Sequence, residues 1–99
     1  MYAKNGEEPQ DLIVTLTVES RSEIKGIGLS SGENYIVAGC QDGTISVFDL
    51  GVNGRERLGK VILTLQGNKN VRCLQWRDSP RREIIAGHED GLITVWDFK

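Results

Sequence analysis

Ninety-nine residues, 38% of them apolar and 26% charged, suffice for one small globular domain and no more. A formal net charge of -2 excludes the strongly basic surface of a general nucleic-acid binder and offers no attraction to an anionic membrane. Twelve glycines against two prolines call for many tight turns, as in all-β folds.

Residues 1–10 (MYAKNGEEPQ) are polar and offer nothing to bury, so they are expected to form a flexible tail. They hold no apolar stretch of the kind a secretory signal needs. The β-branched run Leu12-Ile13-Val14-Thr15-Leu16-Thr17-Val18 predicts a first strand. Similar bursts predict strands at 24–30, 35–40, 44–50, 60–66, 71–76, 83–88 and 92–98. None has the length of a membrane span. The one helical competitor, Ser79-Pro80-Arg81-Arg82-Glu83-Ile84-Ile85-Ala86, has a capping serine and a first-turn proline but is cut short by Gly87.

An internal repeat organises these bursts. Residues 36–50 read IVAGCQDGTISVFDL and residues 84–98 read IIAGHEDGLITVWDF, 48 positions on. Ile36/Ile84, Ala38/Ala86, Gly39/Gly87, Asp42/Asp90, Gly43/Gly91, Ile45/Ile93, Val47/Val95 and Asp49/Asp97 are identical. Upstream, IKGIGL at 24–29 answers VRCLQW at 71–76, and LIVTLTV at 12–18 loosely answers VILTLQG at 61–67.

Each copy contains two strands joined through Asp-Gly, a dipeptide that favours the type I′ hairpin turn. Ile45 and Val47, like Ile93 and Val95, share one face of the third strand; Ser46 and Phe48, like Thr94 and Trp96, share the other. Large side chains on both faces predict a strand covered on both sides. Ala38-Gly39 and Ala86-Gly87 leave room for a neighbouring sheet to come close. A four-stranded antiparallel unit of about 45 residues, covered on both faces by copies of itself, is a blade of a β-propeller.

The Asp-Gly turns, the endings Phe48-Asp49 and Trp96-Asp97, and the period make residues 11–99 resemble the WD-repeat family. Asp-Gly-Leu-Ile-Thr-Val-Trp-Asp (90–97) carries most of the likeness. The resemblance implies a hydrogen-bonded network of a turn Asp, a Trp, a strand Ser or Thr and a Gly-His pair. Asp42, Asp90 and Trp96 match it, beside the turn glycines Gly43 and Gly91. Phe48 replaces the Trp and cannot donate a hydrogen bond. Gly67-Asn68 stands where Gly-His is expected, and 36–40 and 84–88 contain no Ser or Thr, so an incomplete network is expected in both repeats.

The resemblance also implies that repeat and blade are out of step. Residues 1–10 are then a tail, 11–66 an outer strand plus a first blade, and 67–99 a second blade lacking its outer strand. Two blades cannot close a ring, which takes about four to eight. The remaining blades are expected from a longer chain or from self-association, strand 12–18 of one copy then completing 71–98 of another.

Loops 19–23, 41–43, 67–70 and 88–91 should share one rim, with Gln41, Glu89, Lys69 and Asn70 as candidate partner contacts. Loops 30–35, 51–59 and 77–82 should form the opposite rim, which concentrates Arg55, Arg57, Arg77, Arg81 and Arg82. These arginines are either ordinary solvated loop residues or a dock for an acidic segment or phosphate.

No catalytic arrangement can be assembled from the residue types present. His88 is the only histidine, and Cys40 and Cys73 lie in apolar runs that predict buried free thiols, so neither metal nor cofactor is expected. Glu7-Glu8 reads as solvated tail; in Glu89-Asp90 the aspartate shapes the turn while Glu89 faces water. The glycines form no phosphate loop or dinucleotide fingerprint. The expected function is a protein–protein interaction scaffold without catalysis. The alternative is a membrane-peripheral or phosphoinositide-binding propeller using the arginine rim. Partners are expected to be proteins, not nucleic acid or membrane, in an intracellular setting, cytoplasm ahead of nucleus.

Overall fold

A computed structural model describes residues 11–30, 32–52, 54–67, 70–78 and 81–98; the expected tail at 1–10, with Glu7-Glu8, lies outside them. The described residues form seven strands: β1 (Ile24–Leu29), β2 (Tyr35–Cys40), β3 (Thr44–Asp49), β4 (Val61–Gln66), β5 (Val71–Arg77), β6 (Glu83–His88) and β7 (Ile93–Asp97). They form a four-stranded antiparallel sheet, β1-β2-β3-β4, and a three-stranded one, β5-β6-β7. The fold is thus all-β and blade-like, as the repeat requires. Registers repeat as well: Gly39 pairs with Ile45 as Gly87 pairs with Ile93, and Ile36 with Phe48 as Ile84 with Trp96. Even the irregularity at the start of the first strand recurs, between Ile24 and Gly26 and between Val71 and Cys73.

The core lies between the sheets. Val37, Ile45 and Val47 of the first meet Val71, Ile84, Ala86 and Phe98 of the second, with Leu63, Leu65, Leu74 and Trp96 at the margins. Each large aliphatic side chain enclosed there contributes roughly 1.5–3 kcal/mol relative to exposure. Gly39 is what allows the approach: a Cβ on it would collide with Val71 and reach within 3.0 Å of Leu74 Cδ1. A second cluster covers the far face of the first sheet, where Val18 and Leu16 rest on Ala38, Cys40, Phe48 and Ile36.

Three expectations are corrected. Residues 12–18 form no strand. Leu16 and Val18 lie on a sheet face, so their backbone meets side chains instead of the open edge a ladder needs. The Asp-Gly turns are not type I′, because only the glycines have positive φ, Gly43 at 91° and Gly91 at 90°. Gly43 N–H donates to Cys40 O (3.1 Å) and Gly91 N–H to His88 O (3.1 Å), giving a three-residue loop: a type I turn closed by a left-handed glycine. Cys73 is exposed and only Cys40 is buried, since β5 turns Cys73 away from the sheet-to-sheet contact. The strand expected at 83–88, in preference to the helical competitor, is β6 (Glu83–His88), in register with β5 and β7.

Candidate interaction surfaces

Antiparallel connectivity sends alternate loops to opposite rims. On the first, Gln41 N–H donates to Glu23 O (2.8 Å) and Gly67 N–H to Gly43 O (2.8 Å), so 19–23, 41–43 and 67 form one edge. Asp42 holds the corner: its N–H donates to Ser22 Oγ (3.1 Å), and its Oδ1 accepts from Thr44 N–H (2.9 Å). That hydrogen bond, ahead of those from Thr44 and Ser20 hydroxyls, holds the Asp42 carboxyl below the ordinary aspartate range. Burial, reinforced by the charge of Asp42, pushes the neighbouring Cys40 thiol up and keeps it protonated.

The same rim continues into the second sheet. Asn70 Nδ2 donates to Glu89 Oε1 (3.1 Å), Glu89 N–H donates to Asn70 O (3.0 Å), and Arg72 lies 3.6 Å from the Glu89 carboxylate. Of the expected contacts on this rim, the structure brings Asn70 and Glu89 together and exposes Gln41 at the end of the first sheet; Lys69 lies outside the described residues. A groove of about 370 Å³, lined by Glu19, Ser20, Thr44, Thr64 and Gln66, opens at its outer side.

The opposite rim does not present a field of free arginines. Arg77 pairs with Glu83, donating from Nε at 2.9 Å and also from Nη2. Arg81 lies 3.8 Å from Asp97, and the Arg82 guanidinium sits over the Phe98 ring, 5.6 Å from its centroid. Arg55 and Arg57 are exposed on a short 3₁₀ turn with Glu56 between them. Beneath these loops Tyr35, Trp76 and Phe98 form a ring cluster with centroids 5.0–6.0 Å apart. Trp76 Nε1 donates to Asp78 Oδ1 (2.7 Å).

The sequence pattern missed one polar network. In the second sheet Trp96 Nε1 donates to Thr94 Oγ1 (3.1 Å), which also lies 2.8 Å from His88 Nε2. The hydroxyl comes from β7, outside the 84–88 window. Forty-eight positions earlier stand Phe48, Ser46 and Cys40, and Ser46 Oγ is buried with no partner among the described residues. Setting His88, Thr94 and Trp96 against Cys40, Ser46 and Phe48, which keep a hydroxyl but lose the imidazole and the indole, was the available signal. Among the described residues no three His, Cys, Asp or Glu side chains are placed to hold a metal ion.

The family described as "WD domain, G-beta repeat" matches residues 10–49 and 59–97. The chain belongs to the WD-repeat family. Similar proteins include a ribosome biogenesis protein WDR12 homolog of Trichoplax adhaerens, 33% identical over 77% of this chain, and eukaryotic translation initiation factor 3 subunit I of Meyerozyma guilliermondii, 43% identical over 58%. The chain spans only 18% and 17% of those two WD-repeat relatives' lengths. Among solved structures, the computationally designed Ika4 protein matches with a TM-score of 0.68 and 28% identity, covering 89% of this chain and 48% of its own.

Proposed function

We propose that this WD-repeat segment is a protein-interaction scaffold whose contact surface is the rim carrying Gln41, Asn70 and Glu89. The observation that carries the reading is the tying of loops 19–23, 41–43 and 67 into one edge of the first sheet by hydrogen bonds, with Glu89 held to Asn70 in the same way at the end of the second. Rigid strands presenting variable loops bind at low ordering cost. The groove beside Gln66, with Glu19 at its lip, supplies relief for a partner's side chain. The names of the relatives, which speak of ribosome biogenesis and translation initiation, support an intracellular setting for this scaffold.

The phosphate-binding alternative has no comparable support, since Arg77, Arg81 and Arg82 already face Glu83, Asp97 and Phe98. Affinity capture separates the two. Gln41→Ala with Glu89→Lys should abolish recovery of the partner protein, while Arg81→Ala with Arg82→Ala should leave it intact. The reverse pattern, or binding to phosphoinositide vesicles lost on removing the arginines, would move the function to the other rim.

A further inference from the structure

The corner that Asp42 holds contains the one serine open to solvent among the described residues. Ser30 and Ser46 are buried, and Ser22 is half-buried with its Oγ occupied by Asp42 N–H at 3.1 Å. Ser20 is exposed, between Glu19 and Arg21 in the loop that leads from residues 12–18 into β1. Its hydroxyl donates to the Asp42 carboxylate, and its Oγ accepts from Ser22 N–H at 3.4 Å. The exposed threonines have other settings. Thr64 sits in the β4 ladder opposite Ser46, while Thr15 and Thr17 have only apolar neighbours in sequence.

The loop around Ser20 offers what a modifying enzyme needs. Buried Val18 anchors one end, where Arg21 N–H donates to Val18 O (3.0 Å), and β1 begins at Ile24. Between them Glu19, Ser20, Arg21 and Glu23 are all exposed, and none of residues 19–23 belongs to a strand. The segment can therefore be drawn into an active site by breaking loop contacts without opening a sheet. Carboxylates stand one residue before the serine and three after it, at Glu19 and Glu23. Lys25 lies 3.4 Å from Glu23, a surface pair worth no more than about 1 kcal/mol, so that carboxylate is open to competition. Such flanking charge suits a kinase whose substrate groove is basic.

We propose that Ser20 is a phosphorylation site for an acidophilic protein kinase, and that its phosphate releases the 41–43 corner from the 19–23 loop. The γ-phosphoryl group of ATP passes to Ser20 Oγ, the hydroxyl proton goes to the kinase's base, and ADP leaves. The ester oxygen then has no proton to donate to Asp42. A charge of about −1.5 to −2 arrives beside a carboxylate that Thr44 N–H, at 2.9 Å, holds in place. Glu19 adds to the repulsion, whereas Arg21 is exposed and its attraction is screened by water and salt. As the loop moves off, the hydrogen bonds from Asp42 N–H to Ser22 Oγ and from Gln41 N–H to Glu23 O are lost with it. Gln41 belongs to the proposed contact rim, so the modification also regulates that rim; this last consequence alone rests on the scaffold reading.

Treatment of the 99-residue chain with an acidophilic serine kinase and ATP, mapped by tandem mass spectrometry, tests the site. Phosphate is expected on Ser20, absent from Ser20→Ala and reduced about tenfold in Glu23→Gln. Hydrogen exchange reads the consequence. The amides of Gln41 and Asp42 should exchange about tenfold faster in the phosphorylated chain, while that of Glu89, which donates to Asn70 O, should be unchanged. In Asp42→Asn the phosphate has no carboxylate to repel, so the same treatment should leave exchange at Gln41 nearly where it was. No phosphate on Ser20, phosphate on Thr15 or Thr17 in its place, or unaltered exchange at Gln41 in the phosphorylated chain would overturn the proposal. Should Ser20 be modified and the corner open while partner capture ignores Gln41→Ala, the modification stands and the scaffold reading falls.

Discussion

The two halves of the molecule are near copies in sequence and opposites in burial. Every residue of β3 is buried, whereas β7, which matches it at Ile, Val and Asp, alternates between exposed and half-buried. The strands are formed by the same local pattern, so the difference comes entirely from neighbours: β3 has a sheet on one face, Leu16 and Val18 on the other and β4 along its edge, while β7 has β6 and the first sheet alone. A blade borrows most of its stability from adjacent blades, as in any quasi-one-dimensional array.

Paired substitutions at equivalent positions put that contrast to measurement. Ile45→Ala, emptying a fully enclosed site, should cost about 2–5 kcal/mol by chemical denaturation, and Ile93→Ala should stay within about 0.5 kcal/mol. Equal costs would show that the two sheets are not unequally covered. Thr94→Ala removes the acceptor of the Trp96 indole and should cost about 1–3 kcal/mol, while Ser46→Ala removes an orphaned hydroxyl and should be neutral or slightly stabilising.

Two further effects are local and should erase the contrast. Gly43→Ala and Gly91→Ala each force a side chain into left-handed backbone, at φ 91° and 90°, and should cost alike, about 1–2 kcal/mol. A markedly larger loss at Gly43 would mean that its turn is strained by packing as well. The smallest effect is at Asp42. Its folded carboxyl lies below the ordinary value of 3.8, so its contribution is complete above that pH and is lost as the pH falls through the lower folded value. Acid titration of stability should flatten below about pH 4 in Asp42→Asn.

Much of this fold was legible because its signals are local. The bursts at 24–30, 35–40, 44–50, 60–66, 71–76, 83–88 and 92–98 all became strands, and Asp42-Gly43 and Asp90-Gly91 both became hairpin bends. The candidate surface was legible in its grouping of loops and not in its chemistry. Whether Arg77 and Arg81 are free depends on Glu83 and Asp97, which reach them only once the strands are side by side. The Thr94–His88–Trp96 network hid for the same reason, since its hydroxyl belongs to β7 while the histidine ends β6.

Left to itself, the sequence determined where strands begin and turn, and that they come as a repeated unit. Period-two alternation and the conformational freedom of glycine act within a few residues and need no partner to be read. Tertiary structure alone decided that Ile45 is enclosed and Ile93 open, that Cys40 is buried and Cys73 is not, and that residues 12–18 lie on a face without pairing. Burial and ladder formation depend on what stands opposite, and identical residues acquire different fates when their neighbours differ.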